Sequence, residues 1–437
     1  MKPANILFIN IIFISLFQHV GAQDLLTIEQ AIHLALQNNY SIQLVKKEID
    51  IAEKNNTIAN AGFLPVVSMD AKRETGYSHS IQERNDGTTR VIDWAPISST
   101  NAGLMINWKI FKGFDVIITK HSLNEFQNLK ELEARLVVER TLSEVLMNYY
   151  SLVANKMRIN VLKNALELSD ERKRLVNYKY KIGGASKTDV YQAMVDFNND
   201  SSGYISQIAL INTLKGDLNL LMGRDPATNF TIADTLFIDR ELDYEAVYKR
   251  VQEENTDLHI ARKNIELSRL NERYWKSQYS PQFNVYTGYS YVYSKNPAGF
   301  AIENRTHAPT AGISGHLNVF NGSQVRRNQA IARIQMESSQ LEEQQRNLEI
   351  NNTVYKLYQR YKVSLELARL QYGNENAAKM NLDIAVEKFK NGLIGNVELR
   401  DIQLKYINAQ DSYLQAVYDV KALEAELLRL TGELAGL

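Results

Sequence analysis

Seven histidines are the residues best equipped for metal binding or proton transfer in a chain that carries no cysteine. His19 lies in the N-terminal leader, and the others are His33, His79, His121, His259, His307 and His316. Metal ligands recur at short helical or turn spacings, and these histidines do not. The chain holds no glycine-rich phosphate loop and no nucleophile motif. The missing thiols exclude disulfides and thiolate metal sites, and suit an oxidising compartment. Lys+Arg and Asp+Glu both number 50, so no net charge favours nucleic acid. The reading is a protein without catalytic residues, metal or cofactor.

The chain is instead written twice. Leu26-Thr27 through Asn39 matches Leu242-Asp243 through Asn255 at an offset of 216 residues, as does Leu64-Pro65 with Ser280-Pro281. Phe111-Lys112-Gly113 matches Phe320-Asn321-Gly322 at an offset of 209. Tyr180-Lys181-Ile182-Gly183 matches Phe389-Lys390-Asn391-Gly392, and Leu221-Met222-Gly223 matches Leu430-Thr431-Gly432, at the same 209. A slip of seven residues therefore falls between Pro65 and Phe111. Such a duplication points to two quasi-equivalent structural units, not to one catalytic pocket. The expected layout is a leader at 1–22, a first repeat at 23–223, a linker at 224–241 and a second repeat at 242–437.

Lys2, the apolar run from Ile6 to Phe17 and then Val20-Gly21-Ala22 read as a secretory signal, with the mature chain starting near Gln23. No later run of about 18 apolar residues exists, so no membrane-spanning helix is expected.

Each copy opens with helices. Thr27 and Gln30 have the spacing of a capping box, and Ile28, Ile32, Ala35 and Leu36 recur at helical spacing. A strand pair follows, at about 66–78 and 100–111 in the first copy and 283–294 and 309–320 in the second. Val67, Met69 and Ala71 alternate with Ser68, Asp70 and Lys72. Ala102, Leu104, Ile106, Trp108 and Ile110 alternate with Asn101, Gly103, Met105, Asn107 and Lys109. In the second copy Phe283, Val285, Thr287, Tyr289, Tyr291 and Tyr293 alternate with Asn284, Tyr286, Gly288, Ser290 and Val292, and Ile313, Leu317 and Val319 with Ser314, His316 and Asn318. Such a strand has one apolar and one polar face, and about ten residues cross an outer membrane when tilted. Trp94, Trp108 and the tyrosines at 286–293 suit interfacial girdles. Residues 79–99 and 294–308 are the expected loops.

Helical hairpins are expected at 112–222 and 322–431. No proline lies between 97 and 225 or between 310 and 437. Leu142, Leu146, Tyr149 and Val153 step by four, three and four, and Ile334, Leu341, Leu348 and Tyr355 by seven, which is a coiled-coil seam. A helix over 112–182 would reach about 100 Å at about 1.5 Å per residue. Gly183, Gly184 and Gly392 permit the reversals, and Ser186 with Asp189, and Asn396, cap the return helices. In the linker, 230–232 and 236–238 suit short strands. Four strands cannot close a barrel, and an open sheet edge is not tolerated in lipid, so several chains must contribute.

In these features the mature chain resembles the TolC-type outer-membrane efflux proteins. The resemblance rests on Leu26-Thr27-Ile28-Glu29-Gln30-Ala31 with Asn38-Asn39, on Gly62-Phe63-Leu64-Pro65, on Phe111-Lys112-Gly113 and on the glycine turns. It implies a mostly α fold with membrane β-strands: a homotrimer whose long hairpins form a periplasmic α-barrel below a twelve-stranded β-barrel in outer-membrane lipid. It implies an exit duct for efflux or type I secretion that docks a periplasmic adaptor (membrane fusion) protein and an inner-membrane RND or ABC pump. Acidic rings at the periplasmic aperture map onto Glu398 and Asp401, and onto Asp189 in the first copy. We expect these to form a cation-selective constriction; helix capping is the structural alternative for all three. The family's latch partners for Asp189, a tyrosine and an arginine, read Phe389 and Ile394 here, leaving Lys187 or Arg400 as substitutes. The competing reading of the chain is a periplasmic coiled-coil spacer without a pore, which would have no use for tyrosine-rich amphipathic strands.

Overall fold

The structure, a computed structural model, describes residues 25–233, 235–238, 241–299 and 301–436. The expected signal at 1–22 lies outside them. In chain order the elements are β1 (Leu25–Leu26), α1 (Ile28–Asn38), α2 (Tyr40–Asn55), β2 (Val66–Glu83), β3 (Thr89–Lys112), α3 (Asp115–Lys181), α4 (Lys187–Leu221), β4 (Thr231–Ile232), α5 (Tyr244–Glu254), α6 (Thr256–Ser277), β5 (Gln282–Lys295), β6 (Glu303–His316), α7 (Gln324–Lys390) and α8 (Asn396–Leu430). The duplication is kept to the residue: α3 and α7 each have 67 residues, and α4 and α8 each have 35.

The chain divides into two compact units. One holds the described residues of Met1–Asn39, Glu144–Asp239 and Ser364–Ala422. The other holds Tyr40–Ser143, Arg240–Val363 and the described residues of Leu423–Leu437.

In the second unit the strands form one sheet in the order β2-β3-β5-β6, antiparallel throughout. The register puts the alternating residues in phase across all four strands. Met69 pairs with Leu104, Leu104 with Tyr289 and Tyr289 with Pro309. Val67 pairs with Ile106, and Trp108 with Val285, which pairs in turn with Ile313. Ser68, Met105, Gly288 and Thr310 form a row of the opposite face. Val67, Met69, Leu104, Trp108, Tyr289 and Ile313 are all exposed among the described residues. The indole N–H of Trp108 donates to the carbonyl of Phe63 at 2.8 Å.

The strands are longer than the expected ten residues. The stretch 79–99, expected as a loop, is largely ladder, turning only at 84–88. The seven-residue slip is thus extra strand: β2 and β3 have 18 and 24 residues, β5 and β6 have 14 each. A bulge sets Asp93 and Trp94 opposite His79, with Trp94 at φ +43° and His79 2.8 Å from Asp93. β6 spans 303–316, not 309–320, because its partner β5 begins at Gln282, directly after Pro281, and Gln282 already pairs with His316. Residues 317–320 have no strand to join.

The helices also start later than expected, at Asp115 and Gln324. The strand-to-helix turns Gly113-Phe114 and Gly322-Ser323 each hold two successive residues at positive φ. On α3, Leu142, Leu146, Tyr149 and Val153 are buried, whereas Ile334, Leu341, Leu348 and Tyr355 on α7 are exposed. Among the described residues no helix is long and apolar enough to cross a membrane.

The repeated Asn residues explain themselves as locks. Thr27 makes the capping box with Gln30, and Asp243 caps α5 at the matching position. In the first unit Asn39 Nδ2 donates to the Leu221 carbonyl at 2.8 Å. In the second unit Asn255 Nδ2 donates to the Leu430 carbonyl at 2.9 Å while its Oδ1 caps α6. Each copy thus satisfies a carbonyl that the end of its last long helix leaves open. Of the two linker pieces, only Thr231–Ile232 forms a strand, paired in parallel with Leu25–Leu26; 235–238 do not.

Candidate functional site

The expected site lies in the first unit, where α3 meets α4 and α7 meets α8. Both reversals use the same device. Gly183 N–H donates to the Tyr180 carbonyl at 3.1 Å and Gly184 N–H to that of Lys179 at 2.7 Å. In the second copy Gly392 N–H donates to Phe389 at 3.1 Å and Leu393 N–H to Lys388 at 2.8 Å. This is a Schellman termination, which needs a left-handed residue, and Gly183 and Gly392 sit at φ +81° and +75°. Gly184 is not at positive φ; its counterpart is Leu393.

The helices leaving the turns differ. Ser186 and Asp189 form a reciprocal capping box: Ser186 Oγ accepts from the Asp189 amide at 3.2 Å, and Asp189 Oδ2 accepts from the Ser186 amide at 2.9 Å and its hydroxyl at 2.7 Å. These bonds from the Ser186 side chain and backbone hold the Asp189 carboxyl below its ordinary range. In the second copy glycine stands where Ser186 stands, and Glu398 matches Asp189. Leu399 N–H bonds the Gly395 carbonyl at 3.2 Å, so Gly395 occupies the cap position. Asn396 does not cap: it is the first helical residue, and its buried amide atoms have no hydrogen-bond partner among the described residues. Glu398 is exposed and, among the described residues, makes no hydrogen bond or ion pair. Asp401 is exposed and pairs along the helix with Lys405 at 2.7 Å, a contact worth little in water. No hydrogen bond joins Asp189 to Glu398 or Asp401.

Beneath the turns Val176, Ala193, Ala385, Phe389 and Leu399 form a buried cluster, with Ile394 packed against it. The two positions that would carry latch partners are therefore apolar core here. The substitutes are engaged elsewhere. Lys187 lies over the Tyr191 ring at 5.7 Å. Arg400 makes a two-pronged pair with Asp200 at 2.7 and 2.8 Å.

That pair belongs to a polar cluster that the sequence does not reveal. Arg172 is buried and donates from Nη2 to Asp196 at 2.8 Å. Arg400 Nε lies 3.8 Å from Asp196. Asp200 also accepts from Ser169, and Gln403 donates to the Ala165 carbonyl at 3.0 Å. The cluster ties α3, α4 and α8 together. Burial pulls the Arg172 guanidinium below its usual pKa, against the attraction of Asp196. The only sequence signal is the i,i+4 spacing of Asp196 and Asp200.

The family model for outer membrane efflux proteins matches residues 31–205 and 247–433, one stretch in each copy. The chain belongs to the outer membrane efflux protein family. It is therefore a protein of the outer membrane.

Solved structures agree on the fold. VceC, an outer membrane protein of Vibrio cholerae, superposes with a TM-score of 0.75 at 15% identity over 93% of this chain and 96% of that one. The CmeC outer membrane channel of Campylobacter jejuni gives 0.73 at 15% identity over 93% and 85%. The MtrE outer membrane channel of Neisseria gonorrhoeae, in an open state, gives 0.68 at 15% identity over 93% and 88%. No curated protein matches. The match to the efflux family excludes the pore-free periplasmic spacer.

Proposed function

We propose that this chain is one protomer of a homotrimeric exit duct, a passive channel through which an inner-membrane pump expels substrate via a periplasmic adaptor. The observation that carries the reading is the four-stranded sheet with an apolar band on one face, through Val67, Leu104, Trp108, Tyr289 and Ile313, and, among the described residues, two unpaired edges, β2 and β6. In lipid every backbone polar group needs a partner, so these edges must be closed by further copies. Three chains supply twelve strands, within the range of closed outer-membrane barrels. The 67-residue helices α3 and α7 would run on into the periplasm, about 100 Å each. The partners this duct would need are an adaptor and an RND or ABC pump.

The gate in this reading is at the turns Gly183, Gly184 and Gly392. Threefold repetition of Glu398 and Asp401 sets up a ring of carboxylates that attracts cations. Glu398 is favoured for this role by having no competing partner in the chain. Asp189 adds charge at the matching position of the first copy while it serves its helix cap. The test is purification from outer-membrane fractions, with a heat-modifiable oligomer expected, followed by planar-bilayer recording. Glu398→Gln with Asp401→Asn is expected to lower cation preference. Unchanged selectivity refutes the ring, and a soluble monomer refutes the duct.

A further inference from the structure

On the sheet face that carries Leu104, Trp108 and Tyr289, residue character changes sharply along the strands. The rows through Val285, Thr287, Tyr289 and Tyr291 hold no Asp, Glu, Lys or Arg. The next row is Arg73, Thr100, Tyr293 and Arg305. The row after it ends in Lys295 and Glu303, paired at 3.6 Å. β6 shows the change most plainly. Taking every second residue, Ile313, Ala311 and Pro309 give way to His307, Arg305 and Glu303. From Phe283 to Tyr293 the strand covers about 33 Å at about 3.3 Å per residue. A tilt of about 40° reduces that to about 25 Å, the height of an outer-membrane apolar band. The change therefore falls at one boundary of such a band. α3 and α7 follow the opposite end of the sheet, after Lys112 and His316. In the duct proposed above those helices are periplasmic, so the Arg305 end faces outward.

Five side chains meet at this boundary. The Tyr289 hydroxyl and His307 Nδ1 lie 2.7 Å apart, and the Tyr291 and His307 ring centroids are 5.1 Å apart. The Arg305 guanidinium lies 5.5 Å from the centre of the Tyr293 ring. Arg305 is exposed and, among the described residues, pairs with no carboxylate; Glu303, two residues away, holds Lys295 instead. With Tyr289 donating to Nδ1, the Nε2–H of His307 is a further donor without a partner among the described residues. A guanidinium at the rim of an apolar face calls for an anion, and phosphate oxygens suit its fork. Tyr289, Tyr291 and Tyr293 occupy every second position and span about 13 Å at about 3.3 Å per residue. Each phenol offers a flat apolar ring with a polar tip. That matches a sugar, which has C–H groups on its ring face and hydroxyls at its edge. A glycerol phosphodiester has no ring to lay against them.

We propose that the outward face of β5 and β6 binds the phosphorylated sugar headgroup of a glycolipid in the outer leaflet. Arg305 and His307 hold the phosphate, and the three tyrosines line the sugar. The acyl chains then run along the apolar rows towards Leu104 and Ile313. The inference rests on the duct and its outward orientation, and adds a lipid ligand to it.

The test uses the assembled oligomer in mild detergent. It is titrated separately with lipid A (an acylated, phosphorylated glucosamine disaccharide), dephosphorylated lipid A, phosphatidylglycerol and inorganic phosphate. Native mass spectrometry counts the bound molecules. Lipid A is expected to bind at least tenfold more tightly than the other three. Arg305→Gln is expected to weaken lipid A at least tenfold, and His307→Ala severalfold. Lys72→Gln is the control, since Lys72 lies on the opposite face and pairs with Glu74; it should change binding less than twofold. Heat-modifiable migration and unchanged conductance report that each variant has assembled. Lipid A retained undiminished by assembled Arg305→Gln overturns the proposal and leaves the duct standing. So does phosphatidylglycerol or inorganic phosphate binding as tightly as lipid A. Monomeric, non-conducting wild-type chains overturn both.

Discussion

Replacing Asp196 by Asn tests the buried cluster near the turns. Arg172 has no exposed side-chain area, and its Nε and Nη1 have no partner among the described residues. Its burial is therefore compensated chiefly through one bond, Nη2 to Asp196 at 2.8 Å. Asn keeps the shape and removes the charge. Stripping the partner from a buried ion costs about 3–5 kcal/mol, because the remaining charge stays desolvated. Asp200 lessens the loss only indirectly, since its own bonds go to Arg400 and Ser169. The local opening of α4 against α3 becomes correspondingly easier. At about 1.4 kcal/mol per tenfold, amides around 190–200 should exchange about a hundredfold to a few thousandfold faster. Hydrogen exchange followed by mass spectrometry on the detergent-solubilised protein reads this directly. The double variant Arg172→Met with Asp196→Leu should recover protection, because an apolar pair of similar volume is neutral or stabilising by about 1–4 kcal/mol relative to a buried ion pair. An Asp196→Asn protein with less than a tenfold change, or a double variant as labile as the single, refutes the argument.

Other perturbations separate local strain from packing. Gly183→Ala should cost about 1–2 kcal/mol, from the left-handed φ alone, since a Cβ there meets nothing within 4 Å. Gly223→Ala should cost more, because its Cβ would sit 2.4 Å from the Asn38 carbonyl oxygen; comparing thermal midpoints of the two checks the order. Asn255→Ala removes both the cap of α6 and the bond to Leu430, and should lower stability by about 1–3 kcal/mol in the same assay. Ser186→Ala should cost about 1 kcal/mol and let the Asp189 pKa rise towards the ordinary range, held back only by the remaining bond from the residue 186 backbone N–H. Because Asp189 is held ionised to lower pH in the folded chain, its contribution is present above the unfolded carboxylate pKa of about 4 and fades as pH falls through the folded value. Amide exchange at the start of α4, followed between about pH 2 and 5, should show that acid sensitivity in the wild type and a weaker one in the variant.

The sequence by itself determined whatever depends on neighbours a few residues apart. Thr27-Gln30 and Ser186-Asp189 are spaced for reciprocal caps, and both caps form. Gly183 and Gly392 end helices because a left-handed residue is needed there. The strict alternation from Phe283 to Tyr293 specified a sheet with one apolar face, since side chains on a strand change sides at every residue. Repetition at 216 and 209 residues announced two copies, and the copies came out with helices of identical length.

Only the tertiary structure decided how equivalent positions are used. Ile334, Leu341, Leu348 and Tyr355 repeat as regularly as the seam on α3, yet they are exposed, and α7 buries Ile350, Val354, Tyr361 and Leu365 instead. Asp189 and Glu398 are equivalent, yet one is spent on a cap and the other is free, because Gly395 offers no side chain where Ser186 does. Phe389 and Ile394 looked like vacancies in a polar latch and proved to be core. Arg400 found its carboxylate on α4, 200 residues away in sequence. The seven extra residues lengthened a ladder instead of a loop. Spacing along one chain records how a helix or strand is patterned; what lies across from each face depends on which distant segment packs there.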